Sequence, residues 1–390
     1  MQQRGRTGVR DALTIEAVDS LTRVPAAEWD ALAGEDNPFV EHAFLASLEA
    51  AGCVGQESGW IPRYLLARSG TTLVGAAPAY IKLNSYGEYI FDWSWADAAQ
   101  RSRVVYYPKL VIAVPFTPAT GPRLLVHPDR CPDPIRQALA RGARGLADRL
   151  NLQSVHWLFT TEAEAELLAS EGYRHRLSYQ FHWRNRGYES FEDFLAALRS
   201  KRRKEVRRER RRAASADVVV AVEQGKDLSS EDWDRLHRCY LNTIEDRWAI
   251  PYLNPRWFRD LGERLGHRSV VVTVRREGRL VGGALAFRKG RHLYGRYWGC
   301  LESHDALHFE VCYYQLVEYA IENGLALVEA GAQGHHKLAR GFEASLTHSA
   351  HWLRHPGLAD AVYDFIEREA ESVTEQVAAY QSRTPFSGER

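Results

Sequence analysis

Two short strings recur in this chain in the same order and at nearly one spacing, and this repeat limits the folds open to it. Leu73-Val74-Gly75-Ala76-Ala77-Pro78-Ala79-Tyr80 matches Leu280-Val281-Gly282-Gly283-Ala284-Leu285-Ala286-Phe287, at an offset of 207. Tyr86-Gly87-Glu88-Tyr89 then matches Tyr294-Gly295-Arg296-Tyr297, at an offset of 208, with Trp93 and Trp298 following. A period this long is too great for a solenoid unit and points to a duplicated domain. The 390 residues supply enough chain for two hydrophobic cores.

Each copy predicts the same succession of elements. In the second, Ser269–Arg275, Leu280–Phe287 and His292–Tyr297 read as strands, with Glu277-Gly278 as a turn. A helix over Leu307–Asn323 closes at Gly324, and a buried strand over Leu325–Ala330 follows. The first copy echoes this with a helix near Asp133–Leu150 and a strand at Ser154–Phe159. Helices precede each hairpin, at Ala43–Ala51 and at Asp232–Ile244 and Arg256–Leu265. Helices, an antiparallel meander, then helix and strand make a mixed α/β plan, stated twice.

Between the copies the chain becomes strongly basic. Phe191, Phe194, Leu195 and Leu198 have the spacing of one helix face. Arg199–Arg212 then carries ten Lys or Arg and two Glu, a net of +8 in 14 residues. The whole chain nets only +1, so the remainder is −7 and any electrostatic argument is local. Glu205 and Glu209 have Arg neighbours at helical spacing, which favours a helix. Its Arg202, Arg203, Lys204, Arg207 and Arg208 are candidate contacts to a polyanion such as a tRNA backbone, a nucleotide-linked precursor or anionic lipid. The alternative is a linker whose cations pair with the acidic faces of both halves. No base-reading motif accompanies the run, which argues against sequence-specific DNA binding. The expected division is residues 11–188, a basic linker helix at 189–216, residues 217–356, and a C-terminal helix at 357–381.

Composition narrows the setting. Five cysteines, Cys53, Cys131, Cys239, Cys300 and Cys312, are widely spaced with no C-x-x-C, which argues against a disulfide framework or a zinc knuckle. A reducing compartment is the simplest reading, and the cytoplasm is the expected location. No signal peptide is visible in the polar, Arg-rich first residues, and no run approaches the length needed to span a bilayer, which leaves only peripheral membrane contact open. Seven of the 15 histidines fall between His304 and His355. His348, His351 and His355 could bind zinc from a helix, but Pro356 follows directly and Thr347–Trp352 reads equally well as a strand, so no metal is expected.

Several strings resemble those of a known family: Asn37-Pro38-Phe39, Tyr86 through Trp93, Tyr106-Tyr107-Pro108-Lys109-Leu110, Pro115-Phe116-Thr117-Pro118, His308-Phe309-Glu310 with Cys312-Tyr313-Tyr314-Gln315, and Gly331-Ala332-Gln333-Gly334. Together they are similar to the FemAB-like predicted N-acyltransferases, a branch of the GNAT acetyltransferase superfamily, from about Asn37 to Trp352. The resemblance implies two tandem GNAT-like domains, each an antiparallel-to-mixed sheet with flanking helices. It implies amide formation between an amine, such as a cell-wall precursor, and an activated donor. Acyl-CoA or aminoacyl-tRNA would serve as co-substrate, with no tightly bound cofactor and tRNA among the partners. Two strings depart from the family pattern. His335 stands where a Glu is expected, and Cys300–Ala306 lacks the glycine pair of a pyrophosphate-binding loop.

N-acyl transfer needs a neutral attacking amine, donors for the tetrahedral oxyanion and a proton for the leaving group. The GNAT resemblance implies an oxyanion donor from a splayed strand backbone. Lys337, in Lys337-x-x-x-Gly341-Phe342, is similar to the Lys of FemAB relatives whose charge faces the oxyanion or the donor's phosphate and ribose. A Lys after a buried strand is a fixed positive point; otherwise it is a solvated loop residue. Glu310 is either an acid stabilised near a helix start or the base for the amine, with His308 beside it. Glu329, inside the apolar Leu327-Val328-Glu329-Ala330, needs a partner or a raised pKa. His336 is a candidate base or donor contact. Tyr314 and Gln333, from the family-like strings, join His308 as candidate substrate contacts. In the first copy Glu88, Asp92, Lys109 and Tyr106 lie among aromatics that read as a cleft wall for the acceptor or as core. Against the enzyme stands a second reading, a non-catalytic GNAT pair that binds a peptidoglycan precursor or RNA.

Overall fold

The computed structural model describes residues 12–245, 250–302, 307–331 and 334–387. The first half supplies β1 (Leu13–Val18), β2 (Trp60–Pro62), β3 (Tyr64–Ser69), β4 (Thr72–Ala77), β5 (Ala79–Lys82), β6 (Lys109–Ile112), β7 (Leu125–Val126), β8 (Ser154–Thr160) and β9 (Arg174–Arg184). The second supplies β10 (Val219–Gln224), β11 (Ser269–Arg276), β12 (Arg279–Lys289), β13 (His292–Cys300), β14 (Leu327–Glu329) and β15 (Glu343–Leu353).

β10 to β13 form the antiparallel meander that the alternating Val and turn residues predict. β13 then pairs in parallel with β14, across a helical crossover that starts at Leu307 and ends at Glu322. The first half repeats this step: β6 pairs in parallel with β8, and Pro132–Arg149 is the crossover helix. The duplicated mixed α/β plan is therefore present in both halves.

The repeat is shorter than the sequence match. Leu73–Tyr80 is broken at Pro78, which has no N–H to give to a ladder. β4 before it belongs to a four-stranded sheet, β1-β3-β4-β7, and β5 after it belongs to an eleven-stranded one. Tyr86–Tyr89 is not a strand, whereas its match lies inside β13. The counterpart of β13 is β6, displaced by the inserted loop from 83 to 108.

The halves do not keep separate sheets. The large sheet runs β10-β11-β12-β13-β14-β9-β15-β8-β6-β5-β2. β9, the last strand of the first half, lies between β14 and β15 of the second. β15 lies between β9 and β8 of the first. The exchange is reciprocal, so a cut between residues 188 and 189 would leave β9 without either neighbour.

The basic run forms a helix, Ser200–Ala214, that buries Val206, Glu209 and Ala213. The C-terminal helix, Pro356–Ser382, packs across β9 and β15. Beyond it the tail returns to the basic helix, where Arg199 N–H donates to Pro385 O at 2.9 Å.

Because each half lacks a closing strand of its own, the full chain should unfold in urea in one transition, with circular dichroism and tryptophan fluorescence coinciding. Residues 12–188 expressed alone should give no dispersed amide spectrum. A well-folded fragment would show that the strand exchange is dispensable.

Candidate functional site

β13 and β14 stay paired only from His292–Leu327 to Tyr294–Glu329. Beyond that point β13 runs on to Cys300 against β12, while the other strand gives way to Ala330 and Gly331. A cavity of about 640 Å³ opens in the resulting notch. Gly295, Arg296, Tyr297 and Trp298 form its wall on β13, and Ala330 and Gly331 the wall opposite. Tyr240, Thr243 and Ile244, on the helix Ser230–Glu245, supply a third side. Tyr89, Phe91 and Pro118 close it from the first half.

The wall on β13 is bulged. Leu285 pairs with Tyr297 and Ala286 with Gly295, which leaves Arg296 as an extra residue without a partner on β12. Its guanidinium reaches across to the first half and donates from Nη2 to Phe116 O at 2.6 Å. Phe116, at φ 58°, stacks on Tyr252 with ring centroids 4.8 Å apart. Gly295 lets the strands diverge closely, since a Cβ there would lie 3.2 Å from Leu316 Cδ1 and 3.5 Å from Glu329 O.

The crossover helix is widened into one π-helical turn at Glu310–Tyr314, a distortion that often marks functional sites. The turn sends Cys312 and Tyr313 to the cavity. It sends Glu310 and Tyr314 to the basic helix, where Arg210 Nη2 lies 3.1 Å from Glu310 Oε1 and Tyr314 Oη donates to Glu209 Oε2. Gln315 Nε2 adds a bond to Glu310 at 2.7 Å. Glu310 is thus buried in an ion pair behind the cavity wall, where neither an exposed helix-start acid nor a base touching the acceptor would sit. Tyr314 likewise does not line the cavity.

Lys337 lies in a 3₁₀ turn, His335–Arg340. It is 1% exposed, and its Nζ donates to Gly331 O at 2.7 Å. The amine therefore sits directly behind the notch wall, away from bulk water. Burial pushes it down to about 8, with Cys312 acting in the opposite direction. His336, on the same turn, faces the cavity, and its Nε2 is 2.8 Å from Tyr313 Oη. His308 also lines the cavity, with its ring 5.6 Å from that of Trp298.

Glu329 is buried where the strands part. Its Oε2 makes no hydrogen bond among the described residues, and it lies 3.9 Å from His182 Nε2. Burial pushes its pKa up to about 8, against a bond from the Thr120 N–H and the nearby Arg296, Arg123 and Arg184. Lys337 does not pair with it. Gln333 and the loop from 303 to 306 lie outside the described residues, as does the side chain of His335.

The equivalent notch in the first half is filled. β6 and β8 separate after Ile112–Trp157. The fully buried Arg123 occupies the gap, donating to Leu158 O, Gly121 O and Ala119 O at 3.0, 3.1 and 2.7 Å. Gly121 N–H caps Phe159 O at 3.0 Å. The four first-half candidates form an interior ionic network. Lys109 Nζ contacts Glu88 Oε2 at 2.9 Å, Asp92 Oδ2 at 2.5 Å and Ser85 Oγ at 2.9 Å, and Tyr106 Oη donates to Asp92 at 2.6 Å. Burial raises Glu88 to about 7; burial also pushes Asp92 up, but the Lys109 and His156 charges and hydrogen bonds from Lys109 and Ser85 together hold it low. Of the four, Tyr106 lines a second cavity of about 600 Å³ beside Trp93 and Tyr107.

On the basic helix, Arg202 pairs with Glu205 and Arg207 with Glu192, and Arg203 donates to Ala196 O, while Lys204 and Arg208 are exposed. His348 and His351 lie on β15, and no cluster of three metal-ligating side chains occurs among the described residues. No helix among them is long and apolar enough to cross a membrane.

The sequence matches the family described as FemAB-like, peptidoglycan biosynthesis/recognition, over residues 20–388. No curated protein matches it. Among solved structures, the chain is similar to FemX, at 12% identity and a TM-score of 0.55, covering 87% of this chain and 99% of that one. The C-terminal domain (DUF2156) of a putative lysylphosphatidylglycerol synthetase from Agrobacterium fabrum gives 10% identity and 0.54, covering 87% and 94%. A tandem GNAT protein from the clavulanic acid biosynthesis pathway gives 13% and 0.46, covering 88% and 98%.

Two variants test these assignments. Lys109→Met strands two buried carboxylates and should cost about 3–5 kcal/mol in urea unfolding, as removal of one partner of a buried pair does; a loss below about 1 kcal/mol would show the network to be solvated. Folded Glu329 keeps its proton up to about pH 8, where the unfolded chain has already lost it, so its contribution to stability falls as pH rises through that window. Glu329→Gln should flatten the decline of urea midpoints between about pH 5 and 8, and equal slopes would mean that Glu329 ionises normally.

Proposed function

The chain belongs to the FemAB-like family of peptidoglycan biosynthesis and recognition, and on that premise we propose that it is an N-acyltransferase whose second half carries the chemistry. The observation that carries this reading is the open notch between β13 and β14, with a buried amine at its back. The first half, its own notch filled by Arg123, serves as wall and roof. The acceptor is an amine, with a cell-wall precursor as the class that the family suggests, and the donor is an aminoacyl-tRNA or an acyl-CoA.

The reaction joins the acceptor nitrogen to the donor's acyl carbon and breaks that carbon's bond to the leaving oxygen or sulfur. The acceptor gives up a proton, and the leaving group takes one. Charge builds on the carbonyl oxygen in the transition state, so fixed positive potential there lowers the barrier. The bulged backbone at Arg296 and the Lys337 charge behind Gly331 are the two sources in the notch. Tyr313 and His336, already hydrogen-bonded, form a path for the acceptor's proton. Arg296 is the one Lys or Arg that lines the cavity among the described residues, and no carboxylate does. Beside the Arg296 guanidinium an acceptor ammonium is disfavoured, which favours the neutral amine that attack requires.

The same cavity also suits the second reading, a module that binds a precursor without turnover. Thermal shift separates the two, because a ligand that binds only the native state raises the melting temperature. The enzyme should be stabilised by acyl-CoA or aminoacyl-tRNA, the module by a precursor alone.

With an active donor in hand, Lys337→Ala should lower kcat/KM by about 10²–10³ while leaving the circular dichroism spectrum unchanged. Wild-type activity should fall as pH rises through about 8, where Lys337 loses its charge, and Lys337→Arg should lose that alkaline limb. A fully active Lys337→Ala would remove this residue from the mechanism.

A further inference from the structure

The basic helix Ser200–Ala214 is cationic on its outside, but two adjacent residues of opposite sign, Glu209 and Arg210, turn inward. Arg210 meets only the crossover helix, whereas Glu209 meets the His335–Arg340 turn through Arg340 and also the last residue of the π-helical turn, Tyr314. Glu209 is buried and accepts from Arg340 Nη2 at 2.7 Å and Arg340 Nε at 3.1 Å, and also from Tyr314 Oη. Arg340 closes the turn that bears His336 and Lys337. Its Nη1 donates to His336 O at 2.7 Å, and its guanidinium lies 3.5 Å from the centre of the Phe309 ring. Arg210 donates to Glu310, the first residue of the π-helical turn, and to Glu318 at 2.7 Å one helical segment further on.

We propose that Glu209 and Arg210 are positioning residues that hold two irregular elements of the cavity wall by different ion pairs: Glu209, through Arg340, fixes the turn carrying His336 and Lys337, and Arg210, through Glu310, fixes the π-helical turn carrying Cys312 and Tyr313, whose far end Tyr314 also ties to Glu209. The proposal rests on the acyltransfer reading only in calling the cavity catalytic; the clamp itself is a statement about which helix residue holds which wall.

The physical case is one of replaceable geometry. A π-helical turn lacks the regular hydrogen-bond pattern of the helix around it, and the His335–Arg340 turn starts from Gly334 at φ 119°. Neither is held in place by regular secondary structure alone, so side-chain bonds from outside must fix them. Buried, hydrogen-bonded charge pairs have the strength and direction to do this, and an orphaned partner carries the full desolvation cost. Opposite signs on neighbouring residues also prevent exchange of the contacts, since Glu209 is repelled by Glu310 and Arg210 by Arg340.

The test uses the full chain and needs no substrate. Lys337 acetylation by acetic anhydride and Cys312 alkylation by iodoacetamide are each followed by peptide mass spectrometry, with buried Lys82, Lys109, Cys53 and Cys239 as internal references. Glu209→Gln removes the ion pair to Arg340 but keeps an oxygen that can accept from Tyr314, so it should speed labelling of Lys337 by about fivefold or more, the change that a loss of ~1 kcal/mol of local stability brings, and leave Cys312 nearly as in the wild type. Arg210→Gln should do the reverse. Arg207→Gln, which removes only an exposed pair with Glu192, should change neither. If Glu209→Gln does not fold, Arg340→Lys takes its place: it keeps the charge but cannot reach both Glu209 and the His336 carbonyl, and it should likewise expose Lys337. Unchanged labelling in both variants would overturn the proposal. So would a uniform rise at every buried lysine and cysteine, because that is global loosening. An active Lys337→Ala would remove the acyltransfer role of Lys337 and leave the labelling result untouched.

Discussion

Backbone amides and carbonyls that leave a sheet must find other partners or water, and the arrangement of this protein follows from where two parallel strands stop meeting that need for each other. β13 and β14 part after Tyr294 and Glu329, and the amide and carbonyl groups beyond face a space that neither strand fills. What surrounds that space is a set of answers to the resulting deficit. The Arg296 bulge re-aims one wall, Lys337 takes up the Gly331 carbonyl on the other, and the widened helix turn supplies Cys312 and Tyr313.

The two halves solve the same problem in opposite ways. In the first, Arg123 is spent on four backbone carbonyls in the gap between β6 and β8, and the loop from 113 to 124 fills what is left. That gap becomes core. In the second, the corresponding volume is lined largely by aromatic side chains and remains empty of protein. A duplicated unit has thus been divided into one half that is closed and supports, and one that is open and available. The ionic network of Lys109, Glu88 and Asp92 belongs to the supporting role: it pins the inserted loop from 83 to 108, whose tip carries Tyr89 and Phe91 to the cavity.

Much of this was legible in the sequence where the signal was local. The Val-rich β11 and the turn after it and the helices on either side of the hairpins lie within a few residues of their expected bounds, whereas the stretch expected as one basic helix at 189–216 is two helices, Phe191–Ala197 and Ser200–Ala214. A Lys after an inner strand was legible as a candidate fixed charge, and Lys337 lies buried against the Gly331 carbonyl. What failed to show depended on partners far away in the chain. Glu310 looks like a helix-start acid until Arg210 is brought to it, and Lys109 looks like a binding residue until two carboxylates close over it. The second repeat match misled for the same reason, because Tyr86–Tyr89 has strand-like residues but no neighbouring strand to pair with. Cys312 and Tyr313 stand in a string that singled out their neighbours, yet their position at the cavity follows from one extra residue in a helical turn, which no periodicity reveals. The Arg296 bulge is equally silent in sequence, and the strand exchange cannot be read from any pattern within one half.

That exchange has a consequence during synthesis. β9 emerges from the ribosome with β8 already made but with both of its own sheet neighbours, β14 and β15, still untranslated. At about 5–20 residues per second, the delay is on the order of ten seconds. Throughout it the nascent chain holds β8, whose seven residues are all buried in the finished protein, with one flank bare. A strand exposed in that way can be taken up by another chain's β15 as readily as by its own, so the same swap that seals the mature fold makes crowded polysomes a hazard for it.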